Sequence, residues 1–283
     1  MEIILEEIVD KVKHVSGVDA IVLGGSRAVG DYLPDSDIDI GLYYSRSALI
    51  DLATLDRVAA EFDDSGKLGL TTPLGAWGPW INGGAWLCVR SQRVDLLYRD
   101  LKRVEEVITA CHQGDIQVVY QPGHPHGFVS SIYMGEVALC KSLWDPQGKI
   151  MDLKARTAPY PAALQKAIID KFAWEAEFSL GIVEKGIERA DVAYTAGCCY
   201  RAVSCLLQVV WALNQAYWLN EKGAVAKAES FPIKPKRFRQ RIERAFTLLG
   251  GGAGGLCEAV DLLKDITEET LQLVKSNHQT ESA

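Results

Sequence analysis

The stretch from Gly24 to Asp39, GGSRAVGDYLPDSDID, constrains the fold of this chain more than any other. An apolar run ends at Gly24-Gly25, which is typical of a buried strand whose backbone comes close to another group, because glycine has no Cβ. Asp37 and Asp39 then alternate with apolar residues in a second strand pattern. Residues two apart on a strand face the same side, so both carboxylates are expected on one face of a sheet.

Two adjacent carboxylates repel each other unless a cation lies between them, and such a pair suits a hard divalent ion such as Mg²⁺. Asp95, in the strand pattern RVDLLYRD, is the predicted third member of this cluster. If its strand neighbours that of Asp37 and Asp39, three carboxylates converge and can hold two metal ions. The alternative makes Asp37 a cap and Asp39 a surface residue, which leaves two aspartates in a strand that they disfavour. For Asp95 the alternative is an ordinary charged residue close to Asp100.

The loop between the glycines and the aspartates is suited to a phosphate. Ser26 offers a hydroxyl and an amide where a helix is predicted to begin, and helix N-termini attract anions. Arg27 either adds a positive charge there or anchors the turn. The predicted nucleotide contacts are Gly25, Ser26, Arg27 and Ser36, and the predicted catalytic metal ligands are Asp37, Asp39 and Asp95.

The order G-G-S-R-x-x-G-x(6)-D-I-D, followed by a single aspartate on a later strand, resembles the DNA-polymerase-β-like nucleotidyltransferase superfamily. A small N-terminal catalytic unit with a helical half after it is similar to the aminoglycoside and lincosamide nucleotidyltransferases. The resemblance implies transfer of a nucleoside monophosphate, AMP from ATP or its equivalent from another NTP, to a hydroxyl of a small antibiotic-like molecule. Pyrophosphate would be released, two Mg²⁺ ions would assist, and antibiotic resistance would be the biological setting.

A general base for the acceptor hydroxyl is the least determined part of the predicted site. In the aminoglycoside enzymes a glutamate near the start of the helical half often serves, and Glu136 has comparable placement here. A partly buried glutamate tends toward a raised pKa, which suits a base near neutrality. The alternative is a salt-bridged core glutamate. Glu175 and Glu177 are further candidates, and no sequence feature decides among them.

The sequence predicts an α+β fold. Its first hundred residues read as a small mixed sheet flanked by helices, with strands over residues 19–24, 37–44 and 93–100. From about residue 124 the pattern is helical, with helices predicted at 128–144, after Pro161, and at 191–220, 238–249 and 256–275. We therefore predict a nucleotidyltransferase catalytic domain over residues 1–123 and a helical, substrate-binding bundle over residues 124–283.

Composition narrows the class of protein. A net charge of −7 argues against a general nucleic-acid clamp, although residues 234–244 form a basic cluster that we read as a solvated helix face. The seven cysteines form no C-x-x-C pair, and the longest apolar stretch, roughly 202–213, is shorter than a bilayer span needs. We expect a cytoplasmic protein without a membrane segment, whose partners are an NTP and a hydroxylated small molecule. Its oligomeric state, monomer or homodimer, stays open.

Two further groups of residues have open interpretations. Trp77, Trp80 and Trp86 either cover an adenine or sugar face or pack against the sheet. His124 and His126 could bind a metal, but a loop without chemistry is the favoured interpretation. The competing functions are nucleotidyl transfer to a tRNA end or a protein hydroxyl, and a nucleotide-binding regulator that does not turn over.

Overall fold

A computed structural model describes residues 2–281 of the chain, with side chains through Asn277. The chain forms two compact units. The first, here called the sheet unit, comprises the chain up to Cys111 together with residues 117–123 and 128–159. The second, the helical unit, comprises residues 112–116 and 124–127 and the chain from Tyr160 onward. The predicted α+β class is confirmed.

The sheet unit contains all the strands of the described chain. They are β1 (Ala20–Leu23), β2 (Ile38–Tyr44), β3 (Gly84–Val89), β4 (Gln92–Asp100), β5 (Val118–Val119), β6 (Phe128–Val129) and β7 (Lys141–Trp144). Its helices are α1 (Glu2–Val12), α2 (Gly25–Val29), α3 (Leu52–Phe62), α4 (Leu101–His112), α5 (Ile132–Leu139) and α6 (Lys149–Ala155).

Five strands form one mixed sheet in the order β3-β4-β2-β1-β7, and β5 pairs with β6 separately. Strands β2 and β4 run parallel, while the other neighbours in the sheet are antiparallel. Alternation along the strands sorts the side chains by face. One face is buried in a single apolar cluster with α1 and α3, and it includes Ile38, Ile40, Leu42, Ala85, Leu87, Val94 and Leu96. The opposite face carries Asp39 and Asp95.

Helix positions follow local sequence signals. In α1 the buried residues Ile4, Leu5, Ile8 and Val12 recur at the spacing of one helix face. Helix α3 begins after Asp51, whose side chain accepts a hydrogen bond from the Thr54 amide, so the aspartate satisfies an amide that would otherwise lack a partner.

The segment 128–144 differs from its predicted single helix. Only Ile132–Leu139 is helical, and Lys141–Trp144 forms β7, which pairs with β1. With only four residues, Lys-Ser-Leu-Trp, β7 has too few positions for its periodicity to separate strand from helix. Because β7 completes the sheet, the sheet unit extends to Pro159, beyond the predicted boundary at residue 123. The division of function between a catalytic and a substrate-binding segment stays a prediction.

The helical unit consists of α7 (Ala162–Gly181), α8 (Glu184–Glu188), α9 (Val192–Leu213), α10 (Ala224–Ala228), α11 (Phe238–Leu248) and α12 (Gly252–Glu281). Helix α9 is long and apolar enough to cross a membrane by length and composition, and 72% of its most apolar window is buried, as in the core helix of a bundle. In the basic cluster, Arg239 pairs with Glu243 and Arg241 with Glu269, which agrees with a solvated helix face.

Candidate active site

Strand register brings the predicted carboxylates to one face of the sheet. Asp39 on β2 is the direct partner of Asp95 on the parallel strand β4. Asp37 directly precedes β2 and lies two residues before Asp39, so it belongs to the same side. The structure therefore brings together the three residues that the sequence places in separate strand patterns.

The pKa of Asp95 reflects the closeness of these carboxylates. Burial, and then the negative charge of Asp37, raise the pKa of Asp95 to about 6, while Arg93 acts in the opposite direction. Both causes disfavour the ionised carboxylate, because burial removes hydration and a like charge lies close by. The chain itself thus leaves the charge of this cluster incompletely compensated.

Asp37 has an oxygen suited to a cation. Arg93 Nε lies 2.6 Å from Asp37 Oδ1 in an ion pair. That oxygen is buried, and no donor among the described residues meets it with hydrogen-bond geometry. Among the residues that the structure describes, no three His, Cys, Asp or Glu side chains lie close enough together to form a preformed metal site. The donor set fits Mg²⁺ in its chemistry, since all three side chains supply carboxylate oxygens.

The glycine pair lies directly against Asp39. The Gly24 amide donates to the Asp39 carbonyl at 2.8 Å. Gly25 has a φ of +58°, and a Cβ built there would overlap Asp39 Oδ2. Position 25 therefore requires glycine for two reasons, its left-handed backbone and the closeness of the carboxylate. A larger residue would move the carboxylate, the loop or both.

The remaining predicted nucleotide contacts differ in placement. Arg27 is buried, and its Nε donates to the carbonyls of Ser36 and Asp37 at 3.1 and 3.0 Å. Of its two predicted roles, this geometry matches the anchoring one. The Ser36 hydroxyl accepts from the Leu33 amide at 2.9 Å, within the same turn. Ser26 lies half-buried in the first turn of α2. Its contact with a nucleotide stays a prediction.

Glu136 forms a bidentate pair with Arg99. Arg99 Nε and Nη2 each donate at 2.7 Å to a different carboxylate oxygen of Glu136, and Arg99 is buried on β4 four residues after Asp95. This matches the salt-bridged alternative, because a carboxylate held at both oxygens is a poor proton acceptor. Glu175 pairs with Arg201 in the helical unit, and Glu177 is exposed there.

The tryptophans and histidines separate into packed and exposed groups. Trp80 is buried, and Tyr133 donates a hydrogen bond to its carbonyl. Trp86 is exposed and stacks on Trp77 with 4.5 Å between ring centroids. In the helical unit, His126 is buried against Arg201 and forms part of an ion-pair network.

Sequence reasoning missed the arginines that share the face of Asp95. Positions 93, 95, 97 and 99 of β4 all lie on that face, and two of them are arginines that pair with Asp37 and Glu136. The alternation of the strand could have revealed the shared face. It could not have revealed the partners, because these depend on β2 and α5.

A five-stranded mixed sheet with a glycine loop after its first strand is the fold expected of a nucleotidyltransferase domain of the DNA-polymerase-β-like type. Residues 2–72 match the family model described as nucleotidyltransferase domain, and this range includes the glycine loop, Asp37 and Asp39. The N-terminal part of the chain is thus a nucleotidyltransferase domain, as the resemblance implied, and this supports nucleotidyl transfer in general terms. Residues 130–222 match a second model, a domain of unknown function, DUF4037.

No curated protein matches the chain significantly. Among solved structures, the crystal structure of a nucleotidyltransferase-like protein from Exiguobacterium sibiricum 255-15 is similar over 98% of this chain and 78% of its own chain. The two sequences are 12% identical and the TM-score is 0.45.

Proposed function

We propose that this chain is a metal-dependent nucleotidyltransferase that moves a nucleoside monophosphate, AMP from ATP, to a hydroxyl of a small molecule such as an aminoglycoside-like compound. The observation that carries the proposal is the meeting of Asp37, Asp39 and Asp95 on one sheet face beside Gly25. A structural cluster would instead be expected to compensate its own charges.

Asp37, Asp39 and Asp95 would hold two Mg²⁺ ions. Mg²⁺ supplies charge neutralisation at the phosphates and lowers the pKa of an attacking hydroxyl. The raised pKa of Asp95 supports this fit, because Arg93, although it pairs with Asp37, leaves the joint charge of the two carboxylates incompletely offset. The Arg93 side chain is largely exposed, so it can give way to a cation at small cost.

In the proposed reaction the acceptor oxygen attacks the α-phosphorus of ATP. The bond from that phosphorus to the oxygen bridging the α- and β-phosphates breaks, pyrophosphate leaves, and the hydroxyl proton passes to a base. Gly25 and Ser26 would hold the β- and γ-phosphates, because their backbone amides lie at the start of α2 beside Asp39. The bidentate pair with Arg99 weighs against Glu136 as that base.

The test is pyrophosphate release from labelled ATP, GTP, CTP or UTP with Mg²⁺ and a panel of acceptors: aminoglycosides, lincosamides, tRNA and proteins. We expect release that depends on a small-molecule acceptor, and a loss of roughly 10³-fold or more in Asp39→Asn. Asp35→Asn is the matched control, because Asp35 is an exposed aspartate of the same loop. We expect it to retain activity.

Three outcomes would contradict the proposal. Dependence on tRNA or protein would assign a macromolecular acceptor. Nucleotide binding without any pyrophosphate release would assign a regulator. Unchanged activity in Asp39→Asn would remove the carboxylate cluster from the chemistry.

A further inference from the structure

The strand order places the elements of the candidate site side by side across one face of the sheet. The glycine loop follows β1, Asp39 and Asp95 lie on β2 and β4, and β3 is next beyond β4. On β3, Trp86 is the direct antiparallel partner of Asp95. Side chains at such positions have Cβ atoms about 4.5–5.5 Å apart and lie on the same face. Trp86 is therefore an immediate neighbour of the carboxylate cluster.

Trp86 is also unusual for a large apolar residue, since 67% of it is exposed. Trp77 stacks on it with the two ring planes 16° apart. The Trp77 carbonyl accepts a hydrogen bond from Gln121 Nε2 at 2.8 Å, which fixes the loop that carries Trp77. At Gly84 a Cβ would overlap the Leu96 carbonyl oxygen and would also lie 3.0 Å from Trp77 Cζ3, so the Trp77 ring lies directly against β3. Trp77 and Trp86 form a supported aromatic surface, here called the tryptophan shelf.

The geometry of the transfer reaction indicates which of the two substrates would lie at the tryptophan shelf. The attacking oxygen and the departing pyrophosphate lie on opposite sides of the α-phosphorus, roughly in line. With the pyrophosphate at the glycine loop beyond β1 and the α-phosphorus at Asp39 and Asp95, the acceptor approaches from the β3 side. That side is where Trp86 lies. This step rests on the proposed function.

We propose that the tryptophan shelf binds the acceptor by stacking on the C–H face of a pyranose ring that carries the attacking hydroxyl. An indole is large, rigid and apolar on its face, so it holds a flat C–H surface at a low entropy cost. Amino groups on the sugar would strengthen the contact, because a cation is attracted to the indole face. Asp63 and Asp64 add negative charge close by, through hydrogen bonds to the amides of Cys88 and Arg90.

The kinetic test uses kanamycin as the pyranoside probe with Trp86→Ala, Trp86→Phe and Met151→Ala. Met151 is the matched control, because it is also 67% exposed in the sheet unit and lies on α6. We expect Trp86→Ala to raise the KM for kanamycin roughly tenfold, with the KM for ATP unchanged. Trp86→Phe should stay within about threefold of the wild type, since it keeps an aromatic face.

A second readout needs no turnover. In saturation-transfer NMR, irradiation of the protein's aromatic protons should saturate the ring C–H protons of kanamycin in the wild type and in Met151→Ala. We expect this signal to fall strongly in Trp86→Ala. Equal signals in all three proteins would overturn the proposal, even if the chain proved to have no transferase activity.

Two kinetic results would also overturn it while leaving the transfer chemistry intact. One is a rise in the KM for ATP alone in Trp86→Ala, which would place the nucleobase on the shelf. The other is Asp39-dependent pyrophosphate release for which no pyranoside serves as acceptor. Loss of Asp39 dependence would instead contradict the proposed function itself.

Discussion

Two charged clusters, the carboxylates of the sheet unit and the Arg201 cluster of the helical unit, differ in how their charges are offset. In the sheet unit, Asp37 and Asp95 lie close together as like charges, and the pKa of Asp95 is raised. In the helical unit, Arg201 Nε donates to Glu175 at 2.6 Å and its Nη1 donates to the His126 carbonyl at 2.6 Å. In the second cluster Arg201 offsets the charge of Glu175, whereas in the first cluster a single arginine, Arg93, lies against two carboxylates. Buried charge alone therefore does not indicate a catalytic site, and an excess of charge of one sign is the more informative feature.

The helical cluster also fixes the state of a histidine. Arg201 Nη1 lies 3.0 Å from His126 Nδ1, and a guanidinium can only donate, so this nitrogen must accept. The imidazole is then neutral, and burial together with the charge of Arg201 lowers the pKa of His126 to about 4. Glu221 accepts from the His126 amide at 2.8 Å and holds the loop in place. These contacts have a structural role.

We expect the largest effect on activity from a substitution at Gly25, which lies directly against Asp39. Gly25→Ala would place a methyl group on Asp39 Oδ2 and strain a left-handed backbone, so we expect activity to fall roughly 10²–10³-fold. Gly30→Ala is the control, because Gly30 has a φ of +79° but nothing within 4 Å of its Cβ position. It should lose about 1 kcal/mol of stability and keep its activity. Equal loss of activity in both variants would show that only the backbone matters.

The helical unit should weaken in acid. The pKa of His126 is lower in the folded chain than in the unfolded chain, so its contribution to stability is complete above about pH 6.5 and is lost as the pH falls toward 4. The loss should reach about 3 kcal/mol. Hydrogen exchange in α9 at pH 7 and pH 4.5 measures it, with His126→Gln as the comparison. A pH response as large in that variant would contradict the assignment.

The sheet unit should respond to pH in the opposite sense when EDTA is present. The pKa of Asp95 is raised on folding, so the folded state loses stability as the pH rises from about 4 to 6. Asp95→Asn should therefore stabilise the sheet unit at pH 7 by about 2 kcal/mol, as measured by hydrogen exchange in β2 and β4. A destabilised variant would mean that Asp95 is compensated after all.

We expect the smallest effect from Glu136→Gln, which distinguishes a structural role of Glu136 from a role as general base. As a partner of Arg99, its change to Gln should lower the stability of the sheet unit by about 1–2 kcal/mol. The acid limb of the pH profile for kcat should stay where it is in the wild type. If that limb disappears while stability is kept, Glu136 is the general base and our interpretation of the pair is wrong.

Sequence could predict the part of this site that lies in local patterns. Gly25 and the spacing of Asp37 and Asp39 are visible because turn and strand periodicity act over a few residues. The pairing of Asp39 with Asp95 depends on the order of strands in the sheet. The sequence does not give that order, so the convergence could be predicted only on the assumption that the two strands are neighbours. The sequence analysis missed β7 because a strand of only four residues, two of them polar, has a pattern that also fits a helix. The partner of Glu136 depends on how α5 meets β4, which no spacing encodes.

The most direct test of the carboxylate cluster is an anomalous-scattering map of crystals grown with Mn²⁺ and a non-hydrolysable ATP analogue. We predict at least one manganese peak bound by oxygens of Asp37 and Asp39, with Asp95 turned toward it and the triphosphate at Gly25. A complex with the nucleotide bound elsewhere, or with no metal at these carboxylates, would contradict the account.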